Sequence, residues 1–195
     1  MFPSAIIFDC DGTLADTMPV HYEAWQATLR RHPQLELSED RFYELGGWPT
    51  LKICELLKRE TGLPFDPVAL AREKEADFER RLDHVQAIEP VVAVVREQRG
   101  KLPLAVATGG TRQVCETILR HIGLTGWFNT LVCAEDVPRH KPDPDIFLEA
   151  ARRLAVAPPH CRVYEDTDPG LEAARRAGME SIDVRTFYTP RRITG

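Results

Sequence analysis

The stretch AIIFDCDGTLADT, Ala5 to Thr17, decides the fold. Four apolar residues, Ala5 to Phe8, end in Asp9 and Asp11 and are followed by Gly12 and Thr13. This predicts a buried strand that opens into a tight acidic loop. Residues two apart share a face of an extended chain, so Asp9 and Asp11 face one site while Cys10 turns away. Like charges that close repel unless a cation or a shared proton lies between them. Core packing gives no reason for the pair, because burying two acids carries desolvation and repulsion costs.

Downstream the pattern is helical. Met18, Tyr22, Trp25 and Leu29 recur at helical spacing; Ser38 can cap a helix near Glu39 to Leu45, Thr50 can start another that Gly62 ends, and Asp66-Pro67 opens a third towards Leu82. Residues 18–86 therefore read as all-helical. From Glu89 helical patterns alternate with short apolar runs, LPLAVAT at 102–108, TLVCA at 130–134, RVYED at 162–166 and SIDV at 181–184. Such alternation predicts a parallel sheet with helices on both faces. The expected architecture is α/β: a Rossmann-like doubly wound core of five strands from residues 1–17 and 87–195, with an inserted α-helical cap, residues 18–86, after the first strand. The final TFYTPRRITG has no clear pattern and reads as a peripheral tail of the core.

Composition narrows the partners. The 195 residues carry a formal charge of -5 and no Lys/Arg run, which argues against nucleic acid or an anionic membrane. The first residues lack the basic start and long apolar run of a signal peptide, and no stretch is long enough to span a bilayer, so the expected location is the cytoplasm. Cysteines at 10, 54, 115, 133 and 161 are odd in number and unpatterned, which predicts reduced thiols. The expected partner is a small phosphorylated metabolite, and the expected assembly a monomer or weak dimer.

In doubly wound sheets ligands bind beyond the carboxyl ends of the strands. Asp9, Asp11, Thr108, Glu165 and Asp166 all fall at such ends, and Lys141 follows the third strand on a loop before Pro142. This set suits Mg²⁺ and a phosphoryl group. Mg²⁺ takes hard oxygen ligands and would use Asp9 and Asp166; Thr108 can bond a phosphate oxygen, and Lys141 can offset charge during transfer. Two other phosphate devices fail. CAEDVPR, Cys133 to Arg139, has thiol-phosphatase spacing but brings acids and a proline where amides are needed, and no G-x-x-x-x-G-K-[ST] run exists.

DCDGT at 9–13, Thr108 after an apolar strand, Lys141-Pro142 and YEDTDPG at 164–170 together resemble the four ordered motifs of the haloacid dehalogenase-like hydrolases. The resemblance implies that Asp9 is a nucleophile forming an aspartyl-phosphate and Asp11 a general acid and then base. It further implies that Asp9, Asp166 and the Asp11 main-chain carbonyl hold Mg²⁺ with Glu165 nearby. DTMPVHYEAW with His21, GGWPT with Gly47, Trp48 and Thr50, and AREK with Lys74 resemble the family's sugar-phosphate branch, which includes fructose-1-phosphate and 6-phosphogluconate phosphatases and β-phosphoglucomutase. By that resemblance His21, Gly47, Trp48, Thr50, Lys74, Gly109 and Arg112 contact substrate, Arg112 as a grip on a distal anion. Mutases of the branch carry an Arg near the position of Thr50, so a phosphatase is expected and a mutase is the alternative. A phospho-receiver module also gathers acids, Thr and Lys at strand ends, but it leaves the helical insertion unexplained.

Overall fold

The computed structural model describes residues 2–45 and 48–193. Its strands are β1 (Ala5–Phe8), β2 (Ala15–Asp16), β3 (Gln86–Ala87), β4 (Leu104–Ala107), β5 (Thr130–Val132), β6 (Cys161–Glu165) and β7 (Glu180–Asp183). Its α-helices are α1 (Met18–Leu29), α2 (Glu39–Glu44), α3 (Thr50–Thr61), α4 (Pro67–Glu79), α5 (Glu89–Gln98), α6 (Arg112–His121), α7 (Asp145–Leu154) and α8 (Asp168–Arg176). Among the described residues, 2–17 and 85–190 form one compact unit, and 18–84 with 191–193 form a second.

In the first unit five strands pair in parallel in the order β5-β4-β1-β6-β7. β1 and β4 are buried at every position, as apolar runs at the centre of a sheet covered on both faces must be. Along one face Ala5, Ile7, Ala105 and Val163 cluster with Phe147 of α7 and Ala173 of α8. The connections reverse direction at β1, which opens a crevice at the carboxyl ends of β1, β4 and β6. Register decides what lines it. Phe8 lies opposite Val106 and Tyr164, so the residues that leave these strands next emerge from the same edge.

The second unit has its own core, in which Tyr22, Trp25 and Leu29 of α1 meet Phe42 of α2, Leu57 of α3 and Leu70 of α4. Local signals place the helix ends. The Ser38 hydroxyl accepts the Arg41 N–H, Asp66 accepts Val68 N–H ahead of Pro67, and α3 stops at Gly62 in a left-handed conformation at φ 67°. Thr28 donates to the buried Asp77 Oδ2 at 2.7 Å, joining α1 to α4.

Two features depart from the sequence expectation. β2 and β3 form an antiparallel ribbon, Asp16 opposite Gln86 and Ala15 opposite Ala87, where the chain leaves and re-enters the first unit. The C-terminal segment, expected on the core, divides: the Tyr188 hydroxyl donates to Asp16 Oδ2 at 2.7 Å within the first unit. From Arg191 onwards the chain is held by the second. Tyr43 donates to Arg191 O at 3.0 Å, Ile193 N–H to Glu39 Oε1 at 2.8 Å, and the Arg192 guanidinium lies 4.4 Å from the Tyr43 ring centroid. Among the described residues no helix is long and apolar enough to cross a membrane, and all five cysteines are reduced and buried.

Candidate active site

Asp9 leaves β1 and extends its ladder by one bond, its N–H donating to Tyr164 O at 3.0 Å. It is 5% exposed. The chain then turns back, with Gly12 N–H donating to Ala15 O at 2.8 Å and Gly12 at φ 79°. Only glycine suits this position, because its conformation is left-handed and an added Cβ would lie 2.1 Å from Asp166 Oδ2. The loop is thus pressed against the carboxylates that leave β6.

Lys141 joins two of the acids. Its Nζ donates to Asp9 Oδ1 and to Glu165 Oε1, both at 2.7 Å. Glu165 Oε2 accepts from Thr167 twice, from the hydroxyl at 3.0 Å and from the N–H at 2.5 Å. Gly170 backs the same carboxylate, since a Cβ there would sit 1.8 Å from Glu165 Oε1. Asp166 Oδ1 accepts the Thr13 hydroxyl at 2.9 Å. Thr108, buried after β4, donates to Asp11 Oδ2 at 3.4 Å and accepts the Gly110 N–H at 3.0 Å. Gly109, between them, has open space where a Cβ would be.

The charges are not balanced within this cluster. Asp9, Glu165 and Asp166 offer carboxylate oxygens that all lie within 4.8 Å of one another, with Lys141 as the cation paired to Asp9 and Glu165. Burial pushes the Asp9 carboxyl up; Lys141 pulls it down, Glu165 and Asp11 push it up again, and it rests at about 7. Burial and the charges of Asp9 and Glu165 likewise hold Asp166 well above the ordinary carboxylate range. Burial would lower Lys141, but the Asp9 and Glu165 charges outweigh it and hold the ammonium above its usual range. A hard divalent cation fits the donor set, which is all oxygen, closely grouped and carries more negative charge than one lysine offsets.

The structure therefore brings Asp9, Asp11, Thr108, Lys141, Glu165 and Asp166 to one sheet edge. Thr13, Thr167, Gly12 and Gly170 were not assigned site roles from the sequence, although each lies inside a motif read there. Cys10, buried beside the thiols of Cys115 and Cys133, turns away as alternation requires. The Cys133 thiol is pushed up by its Cys115 contact and by burial, and Arg139 pairs with Asp145, so this segment builds no thiolate cradle. The Arg112 guanidinium is held by Asp136 Oδ2 at 2.6 Å and Leu131 O at 3.4 Å.

In the helical unit, three of the expected substrate residues meet one another. Lys74 Nζ lies 2.6 Å from His21 Nδ1 and 3.4 Å from Thr50 Oγ1, and the His21 ring stacks on Phe78 at 3.8 Å. Lys74 is 1% exposed, although its charged helix suggests a solvated side chain. Trp48 is exposed, and Gly47 lies outside the described residues.

The family model for haloacid dehalogenase-like hydrolase matches residues 3–178. Fructose-1-phosphate phosphatase YqaB of Escherichia coli is 43% identical over 183 residues, covering 93% of this chain and 96% of the relative. A phosphorylated carbohydrates phosphatase of Thermotoga maritima is 32% identical, covering 91% and 83%. The crystal structure of CbbY from Rhodobacter sphaeroides in complex with phosphate superposes with a TM-score of 0.79 at 26% identity, covering 92% of this chain and 85% of that one.

Proposed function

We propose that this chain, which belongs to the haloacid dehalogenase-like hydrolases, is a phosphatase that hydrolyses a small sugar phosphate with Mg²⁺ bound, by way of an aspartyl-phosphate on Asp9. The observation that carries the reading is the buried carboxylate cluster at the β1 and β6 ends with Lys141 bridging Asp9 and Glu165. The sugar part of the substrate is suggested by the relatives, one named for fructose-1-phosphate and another for phosphorylated carbohydrates. The family match leaves no place for a receiver module.

Asp9, Asp166 and the Asp11 main-chain carbonyl would hold the ion, with Glu165 beside them. When bound, Mg²⁺ supplies positive charge next to the transferring phosphoryl group. Every other step belongs to the chain. Lys141 fixes Asp9 Oδ1 and opposes the burial that raises its carboxyl. Asp9 attacks phosphorus; the bond to the sugar oxygen breaks, and Asp11 gives that oxygen its proton. Asp11, now ionised, takes a proton from the water that attacks the aspartyl-phosphate, which releases phosphate and restores Asp9. Thr108 and the Gly109 turn orient the phosphate oxygens. His21, Trp48, Thr50 and Lys74 contact the sugar. Thr50 carries no charge to hold a second phosphate, which favours a phosphatase over a mutase.

Phosphate release from fructose-1-phosphate, 6-phosphogluconate and glycerol phosphate, in Mg²⁺ and in EDTA, tests the proposal. Turnover is expected in Mg²⁺ alone, and Asp9→Asn should lower it at least about a thousandfold with the fold intact. Full Mg²⁺-dependent turnover by Asp9→Asn would sink the assignment.

A further inference from the structure

The sheet edge that carries the carboxylates also receives the chain leaving β7, because β7 runs parallel to β6 with Asp183 opposite Glu165. Past Asp183 the backbone winds into a tight turn. The Asp183 side chain accepts the Arg185 N–H, Val184 is buried, and Val184 O accepts the N–H groups of Phe187 and Tyr188 at 3.1 and 3.0 Å. That turn fixes where the Tyr188 side chain starts. Its hydroxyl donates to Asp16 Oδ2 at 2.7 Å, across 172 positions of sequence. Asp16 is 7% exposed, and both residues belong to the first unit.

Asp16 ends the acidic loop, and its neighbour Ala15 is the residue on which the loop closes. Ala15 O accepts the Gly12 N–H at 2.8 Å and the Thr17 N–H at 2.9 Å, Ala15 N–H donates to Cys10 O at 3.0 Å, and Asp11 and Ala15 form an isolated bridge. The same arm pairs with β3, Ala15 opposite Ala87 and Asp16 opposite Gln86, and Ile88 N–H donates to Leu14 O at 2.9 Å. A two-stranded ribbon this short is marginal by itself. A hydroxyl bonded to a buried carboxylate is among the stronger hydrogen bonds, and removing the donor costs the desolvation of the carboxylate as well as the bond. Tyr188 therefore pins Asp16 where the ribbon alone would fray, and through Ala15 it pins the backbone of Asp11 and Gly12.

We propose that Tyr188 is a positioning residue for the reaction: its hydroxyl holds Asp16, Asp16 holds the outgoing arm of the acidic loop, and that arm sets where Asp11 presents its carboxyl to the leaving oxygen. The catalytic consequence rests on the phosphatase reading above. The segment that supplies the residue, TFYTPRRITG, has no motif in the sequence.

Tyr188→Phe removes the hydroxyl and keeps the ring. With saturating Mg²⁺ and fructose-1-phosphate as substrate, kcat should fall about tenfold with KM unchanged, because Asp11 transfers its proton in the transition state and not on binding. In EDTA, amide exchange of the native protein at Gly12 and Ala15 should rise about tenfold relative to exchange along β4, since only local opening of the loop is eased. On an Asp16→Ala background the same substitution should move neither readout further. A merely structural tyrosine would speed exchange in β4 and the loop alike and leave kcat per folded molecule as it was. The first two readouts need only Tyr188→Phe, so they stand if Asp16→Ala does not fold. An unchanged kcat, an equal change in β4 and the loop, or a full effect of Tyr188→Phe on Asp16→Ala overturns the inference. If wild type turns over no sugar phosphate, the phosphatase reading falls, while the exchange ratio still decides whether Tyr188 holds the loop.

Discussion

Stripping divalent cations from the protein should make its stability fall as pH rises, and Asp9 sets the scale. Burial, opposed by Lys141 and reinforced by Glu165 and Asp11, moves the Asp9 carboxyl from 3.8 to about 7 on folding. Such a carboxyl holds its proton more tightly in the folded state by about 4 kcal/mol. Below pH 3.8 both states are protonated and folding carries no penalty from this group. As pH rises the unfolded chain ionises first, so stability is lost progressively until pH passes about 7, where the loss levels off. Between pH 5 and pH 8 the loss is about 2.5 kcal/mol. Asp9→Asn removes the titration. Urea unfolding in EDTA, followed by tryptophan fluorescence at pH 5, 6, 7 and 8, should show wild type falling below Asp9→Asn by that amount across the range. Saturating Mg²⁺ at pH 8 should then raise wild type by about 2.7 kcal/mol at a hundredfold excess over its dissociation constant, and the Asn variant by much less. Parallel pH curves for the two proteins in EDTA would refute the claim that Asp9 is held against its own charge by burial.

Lys141→Ala should destabilise the protein by about 3–5 kcal/mol in urea titrations, because it leaves Asp9 and Glu165 buried without their cation. A loss under 1 kcal/mol would mean that the carboxylates are reached by solvent. Gly12→Ala should lower stability by about 1–3 kcal/mol, since the new Cβ meets both a left-handed backbone and Asp166. Calorimetric Mg²⁺ titration of the same variant should show weakened binding. Arg112→Ala should leave KM for the sugar phosphate unchanged and cost about 1 kcal/mol of stability, because its guanidinium is engaged by Asp136 at a half-buried site; a severalfold rise in KM would assign it the role of an anion grip.

The sheet and most of the carboxylate cluster were legible because their signals are local. An apolar run of four to seven residues marks a buried strand wherever it pairs, and Ser38, Asp66 and Gly62 bond or bend within a few residues of themselves. A parallel sheet then collects all carboxyl strand ends on one edge, so acids that follow the runs at Phe8 and Tyr164 are brought together without knowledge of any contact. The ribbon of β2 and β3 is two residues long on each side, too short for any alternation to show.

By itself, then, the sequence determined the class of fold, the inserted helices and the identity of the residues at the sheet edge. Tertiary structure decided how those residues are paired. It set which oxygens lie within 4.8 Å of one another and that Lys141 spans Asp9 and Glu165. It also engaged the Arg112 guanidinium with Asp136, and it buried Lys74 against His21 and Glu75. The reason is physical. Strand and helix formation are governed by neighbours along the chain, whereas desolvation and pairing of charge depend on groups that are distant in sequence and meet only when the chain packs.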